Sequence, residues 1–204
     1  MAAYPPGGTY FDNAKRSFTA VPMNLSKDNA ISTSEFLEAS EALTGLFDVL
    51  GSTAFSPVKK DMIGNIKKIR DRQLESPIES ETLQDLVRNE LKTKKHTASE
   101  GLLWLTRGLD FTSRALRRNL SSNSEELSVS FRDAYGLTLK QHHSFIIKPI
   151  FSAAMSACPY RKDFYAKLGE DDARVKKELD EWLAALEERV KVLSEFTGRK
   201  EAKW

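Results

Sequence analysis

Residues 58–69 read VKKDMIGNIKKI. Val58, Met62, Ile66 and Ile69 recur three or four residues apart, the interval that places side chains on one face of an α-helix. Asp61, Asn65 and Lys68 make a second stripe at i, i+4 and i+7. An acceptor, an amide and a cationic donor line up there, a set able to hold a ligand rich in hydroxyl groups. From spacing alone a solvated helix face is the plainer interpretation, since Asp and Lys usually point to water. Two details weigh the other way. The stripe abuts the apolar face, and Gly64 lies inside the helix at a cost of about 1 kcal/mol relative to Ala, which suggests that another surface approaches it.

Helical periodicity extends outward from this segment. Ser32–Ser34 offers a cap ahead of Glu35, and Phe36, Leu43, Phe47 and Leu50 follow at helical spacing. Gly51 and Pro57 break that pattern, and Ser76–Pro77 ends the helix expected over 58–74. Further helices are expected over 82–94, 98–120, 125–135, 137–155, 163–168 and 171–196. Pro149 should kink the 137–155 helix by removing the bond to the Phe145 carbonyl. No period-2 alternation or Asn-Gly hairpin signal competes. The fold class is therefore all-α, with about eight helices in a two-layer sandwich. Residues 1–30, punctuated by Pro5, Pro6, Gly7, Gly8 and Pro22, are expected as an irregular arm. Tyr10, Phe11, Phe18 and Val21 would drape it over a domain spanning 31–204.

A chain of 204 residues with a net charge of +2 fits one large domain. Ions of both signs are abundant, which argues against a dedicated nucleic-acid binder. Cys158 is the only cysteine, so no internal disulfide forms. No run of about 18 apolar residues is long enough to span a bilayer, and residues 1–16 lack a basic-then-apolar leader pattern. The expectation is a cytoplasmic monomer that touches membranes only peripherally.

Other candidates lie further along the chain. Trp104 shares a face with Gly108 and Phe111. It reads as a core residue or as a flat platform on which a sugar ring stacks its C–H face. His143 would share a face with Ile146, Ile147, Ile150 and Ala154, either as a satisfied core histidine or as a donor to an amide carbonyl. His142 is expected to face water. Phe145 would lie on the far side of the same helix, where with Lys148 and Arg161 it could dock on a membrane; ordinary burial is the alternative. Three histidines without HExxH or cysteine partners make no metal site. No GxSxG, Walker loop, GxGxxG or CxxC is present. Asp61 and His143 could form an acid–base pair, but no nucleophile accompanies them. No catalytic residue and no cofactor are expected.

The strings FSPVKKDMIGNIKKI (55–69), GLLWLTRGLDF (101–111), LKQHHSFIIKPIF (139–151) and ACPYRKDF (157–164) together resemble the glycolipid transfer protein family, its fungal members most closely. The resemblance covers roughly residues 33–197. It implies two helical layers enclosing a hydrophobic lipid pocket, with a headgroup site at the mouth. By resemblance, Asp61 and Asn65 would bond sugar hydroxyls, Lys68 would donate to sugar oxygens, and Trp104 would carry the ring. Asp61 would also accept from a ceramide amide N–H, and His143 would donate to the amide carbonyl. Phe47, Phe111, Ile147, Phe151 and Ala154 would line the hydrocarbon pocket.

Relatives that carry ceramide-1-phosphate place cations where this chain has Asn65, Trp104 and Gly108. A phosphate wants charge-assisted donors, so neutral sugars are expected: glucosyl-, galactosyl- or lactosylceramide. Animal members carry tryptophan at the position of Phe145 and close the headgroup site with a tyrosine near the C-terminus, for which this chain offers no matched residue. The implied activity is transfer of a glycosphingolipid between membranes without chemical change. A glycolipid sensor that signals its bound state to a protein partner is the alternative.

Overall fold

The computed structural model describes residues 4–204; the first three residues of the expected arm lie outside the described residues. Among the described residues, eight α-helices make up the domain. They are α1 (Thr33–Val49), α2 (Ser56–Glu75), α3 (Leu83–Lys92), α4 (Thr97–Ser121), α5 (Leu127–Leu137), α6 (Ile147–Ser156), α7 (Arg161–Leu168) and α8 (Asp172–Gly198). A two-residue hairpin, β1 (Met23–Asn24) with β2 (Ala30–Ile31), precedes α1. No described helix is long and apolar enough to cross a membrane.

Local chemistry explains several helix starts. Pro57 opens α2 in the first turn, where a missing N–H costs nothing. Thr82 caps α3 by accepting from Asp85 N at 3.2 Å, and Asp171 caps α8 by accepting from Arg174 N at 3.0 Å. Ahead of α1, the Ser32 hydroxyl bonds the Glu35 carboxylate directly.

The start of α4 depends on tertiary structure. Its preceding residue, His96, provides no side-chain cap. Instead the buried Glu90 of α3 accepts from Ala98 N at 2.8 Å, and from Ser99 N and Ser99 Oγ at 2.7 Å each. A carboxylate at a helix N-terminus meets both the unpaired donors and the positive end of the helix dipole. The helix so fixed is central, packing against α2, α5 and α8.

The expected 137–155 helix does not form. α5 ends at Leu137, a 3₁₀ turn covers Leu139–Gln141, and α6 begins at Ile147. Pro149 therefore sits in the first turn of α6, where no intrahelical donor is required of it, and starts a helix instead of kinking one. His142 to Ile146 form the connecting turn, so the helical face expected for His143 does not exist.

The core is one apolar cluster. The arm belongs to it: Phe18 is fully buried, edge-on to Trp182 at 5.6 Å and to Phe36 at 6.2 Å. Tyr10 donates to the Ala42 carbonyl at 2.6 Å.

Candidate functional site

A groove of about 490 Å³ opens between α2, the N-terminal half of α4, and the turn leading into α6. α2 contributes Asp61, Asn65 and Lys68, and α4 contributes Glu100 and Trp104. The turn supplies His142, His143 and Ser144, and α6 closes the inner end with Ile147, Ile150 and Phe151. The stripe, the indole and the histidine expected from sequence thus meet in one depression, although they lie up to 82 positions apart.

Close approach of α2 and α4 creates this geometry. A Cβ at Gly101 would lie 3.1 Å from Lys68 Cβ and 3.2 Å from the Asn65 carbonyl oxygen. Gly108, two turns later on α4, faces Met62. The expectation for Gly64 is corrected accordingly. Nothing lies within 4 Å of a Cβ built there, because Gly64 is on the solvent side of α2. The glycine that admits another surface is Gly101, on the partner helix.

Within the groove Asn65 is buried and donates to Asp61 Oδ2 at 3.2 Å. Asp61 keeps an accessible edge, yet surrounding protein pushes its pKa above the usual aspartate value, an effect that Lys68 only partly offsets. Lys68 Nζ lies 3.6 Å from Glu100 Oε2. The Trp104 indole is flanked by His143, nearly parallel at 6.0 Å, and by His142, edge-on at 6.3 Å. Arg107 lies over the indole at 4.9 Å. His142 is exposed as expected but borders the groove instead of pointing away.

His143 is oriented by α5. Tyr135 Oη and His143 Nδ1 are 3.2 Å apart, and the imidazole packs on Phe151 at 4.5 Å. Burial, with His142 and Lys148 adding to it, holds the His143 pKa below its ordinary value, which favours the neutral ring. The hydrogen bonds of Asp61 and His143 thus run to Asn65 and Tyr135 and form no acid–base pair. Cys158 is no nucleophile either, since burial pushes its thiol up to about 12. No metal-ligating cluster exists among the described residues.

The residues expected to hold hydrocarbon divide into two sets. Ile147 and Phe151 border the groove, whereas Phe47, Phe111 and Ala154 are buried within the packed core. Phe151 joins the two, touching His143 on one side and meeting Tyr135 at 5.2 Å and Phe111 at 6.3 Å on the other.

The expected docking residues also divide. Phe145 is 82% exposed beside the exposed Ile146 and Lys148, in sequence between and next to the groove-lining Ser144 and Ile147. Arg161 does not join them. Its guanidinium donates to the Asn119 carbonyl at 2.7 Å and to the Asn119 side chain, and it stacks over Tyr165 at 4.4 Å. It ties α7 to α4 and does not line the groove. Trp204, the one aromatic of the final residues, stacks on His96 and does not border the groove.

Four participants escaped sequence reasoning: Glu100, Gly101, Arg107 and Tyr135. The first three lie within four residues of Trp104, so helical phase about the indole was the available signal. Nothing local marks Tyr135, since its partner arrives from a turn.

Comparison with known proteins bears on this arrangement. Residues 31–170 match the family model described as glycolipid transfer protein. The chain is 71% identical to a glycolipid transfer protein of Aureobasidium melanogenum, over the full length of both. It is 63% identical to the solved structure of HET-C2, a fungal glycolipid transfer protein, with a TM-score of 0.94 over 96% of this chain and 100% of that one. A FAPP2 structure, described as using this fold to select simple glycosphingolipids, is 30% identical with a TM-score of 0.84, covering 94% and 95%. A family match over more than half the chain, with full-length identity of this order, places the protein: it belongs to the glycolipid transfer protein family.

Proposed function

We propose that this chain withdraws a glycosphingolipid from one membrane, shields it, and delivers it unchanged to another, with the sugar held in the groove between α2 and α4. The observation that carries this is the juxtaposition of the Asp61–Asn65 pair with the Trp104 indole above an apolar inner end. Sugar rings present an apolar C–H face and a hydroxyl edge, which the indole and the polar stripe complement separately. Asp61 accepts from hydroxyls and from the ceramide amide N–H, Asn65 and Lys68 donate to sugar oxygens, and His143 donates to the amide carbonyl through Nε2.

A groove of about 490 Å³ is of the size that holds a drug-sized ligand, so it accommodates a headgroup and amide but not two long chains. The chains enter past Ile147 and Phe151 as α6 parts from the aromatic cluster around Phe111, with Phe47 and Ala154 further along their path. Each methylene kept from water contributes about 0.8 kcal/mol, which holds the chains in the protein during transit but selects no headgroup. Selection falls to the stripe, since an unmet buried hydrogen bond costs about 1–3 kcal/mol. Phe145, Ile146 and Lys148 lie at the membrane surface during exchange.

Vesicle-to-vesicle transfer of glucosyl-, galactosyl- and lactosylceramide, compared with ceramide-1-phosphate, tests the proposal. Net transfer of the neutral glycolipids and little of the phosphate is expected. Binding without net transfer would instead mark a sensor, and released sugar would mark a hydrolase.

A further inference from the structure

Thr82 and Asp171 cap α3 and α8 from the preceding position in sequence, so each cap moves with its helix. At α4 the acceptor comes from elsewhere. Glu90 reaches the N–H groups of Ala98 and Ser99 from α3, eight and nine residues upstream. The residue is 3% exposed, and its carboxylate bonds all run to Ala98 and Ser99. A carboxylate at that depth is tolerated while its lone pairs are filled. The start of α4 therefore cannot tilt away from α3 without leaving a buried charge unmet. The connection between the helices adds to the constraint. Lys94 takes the left-handed conformation at φ 61°, which a non-glycine residue keeps where its surroundings impose it. Thr93 Oγ1 donates to the Glu90 carbonyl at 2.6 Å. On its far side α3 is fixed by the hairpin: the buried Gln84 accepts from Ile31 N at 3.0 Å, and Arg88 pairs with Asp28 at 3.3 Å.

We propose that Glu90 is a positioning residue for the groove: by gripping the start of α4 from α3, it keeps Gly101 seated on Lys68 and sets the Trp104 indole across from Asp61 and Asn65. This rests on the transfer function proposed above and adds a residue outside the groove to it. Glu90 does not line the groove and acts through the backbone of Ala98 and Ser99. The residues just past that grip are those of the site. Gly101 meets Lys68 one turn on, and Trp104 stands about 7.5 Å beyond Ser99 at about 1.5 Å per residue. A cap supplied by His96 would complete the helix but would leave its place against α2 undetermined. A binding constellation has to be held to within about 0.5 Å, and a grip from a second helix meets that demand.

The test compares Glu90→Gln with Asp171→Ala in the full chain. Each weakens a helix cap, but the α8 cap lies away from the groove. Three quantities are measured: the urea midpoint, the rate of galactosylceramide transfer between phosphatidylcholine vesicles, and the ¹H–¹⁵N spectrum, with the Trp104 indole and the Ala98 and Ser99 amides assigned. Both variants should unfold at lower urea. Glu90→Gln alone is expected to slow transfer by about tenfold, as loss of a buried charged acceptor implies, to shift the Trp104 indole resonance, and to speed exchange of the two amides. Ser99→Ala removes one of the three donors and should act in the same direction to a smaller extent, which keeps the proposal testable if Glu90→Gln does not fold. Unchanged transfer and an unmoved indole resonance, with amide protection lost, would reduce Glu90 to a helix cap and overturn the proposal. Equal slowing in Asp171→Ala at a similar urea midpoint would overturn it too, by tracing the loss to stability. Failure of the unmodified protein to move galactosylceramide would overturn the transfer function, while the indole resonance would still decide whether Glu90 positions Trp104.

Discussion

Gly101 of α4 rests against Lys68 of α2, so closely that a Cβ at Gly101 would stand 3.1 Å from Lys68 Cβ. That contact fixes the separation of the two helices that hold the polar stripe and the indole.

Gly64→Ala and Gly101→Ala should therefore diverge. Both gain up to about 1 kcal/mol of helix propensity. At Gly64 the new methyl meets open space, and thermal stability should rise. At Gly101 it presses on Lys68 Cβ and on the Asn65 backbone, and overpacking of this kind costs about 1–3 kcal/mol. Paired urea melts should place Gly101→Ala at least about 1 kcal/mol below Gly64→Ala, with slower transfer. Equal stability of the two would show that the helices yield at no cost.

Asp61 carries a raised pKa, and the proposed site uses it as the shared acceptor. Its folded-state pKa is raised, so the folded chain holds the proton more tightly than the unfolded chain, whose value is about 3.9. Below that pH the group imposes no penalty. As pH rises through the raised value, folding loses stability that stays lost at neutral pH. Asp61→Asn should thus raise Tm at pH 7, with the gain vanishing below about pH 3.9. Asp61→Val, which deletes the acceptor shared by Asn65 and the proposed ligand, should slow glycolipid transfer by at least about tenfold with helix content intact. Normal transfer by Asp61→Val would remove this residue from the site.

In the proposed site Tyr135 acts through His143. Its hydroxyl lies 3.2 Å from Nδ1, which leaves Nε2 for the groove and favours the tautomer with the proton there. Tyr135→Phe should slow transfer by about fivefold to tenfold, the range for losing one orienting hydrogen bond, and should alter the tautomer populations seen in ¹⁵N imidazole spectra. Slower transfer with unchanged spectra would make Tyr135 a packing residue only. The lowered His143 pKa means that protonation occurs below the ordinary value of about 6.5. Stability linked to this group should be constant above that pH and decline as pH falls through the lowered value.

Phe145 is 82% exposed and has little packing to lose. Phe145→Ala should leave Tm within about 1 °C while weakening partitioning onto vesicles by about tenfold, since inserting a phenylalanine into an apolar phase is worth about 1.5–3 kcal/mol. A matching fall in Tm would mean that the ring packs against the protein in solution.

The amino-acid sequence by itself determined the helices whose capping and period are local. α2 follows from Val58, Met62, Ile66 and Ile69 with Pro57 in its first turn, and α8 from its Asp171 cap. It also determined that Asp61, Asn65 and Lys68 share a face, because spacing on one helix is fixed by the backbone alone. Four features were settled only in three dimensions. Glu90 caps α4 from another helix. Gly101, not Gly64, admits the neighbouring helix. The chain between α5 and α6 turns at His142–Ile146, which brings His143 to Tyr135 and Trp104. Arg161 is engaged by Asn119 and Tyr165 and does not line the groove. Periodicity reports which residues share a face but not what covers that face, and a groove exists only where separate elements pack.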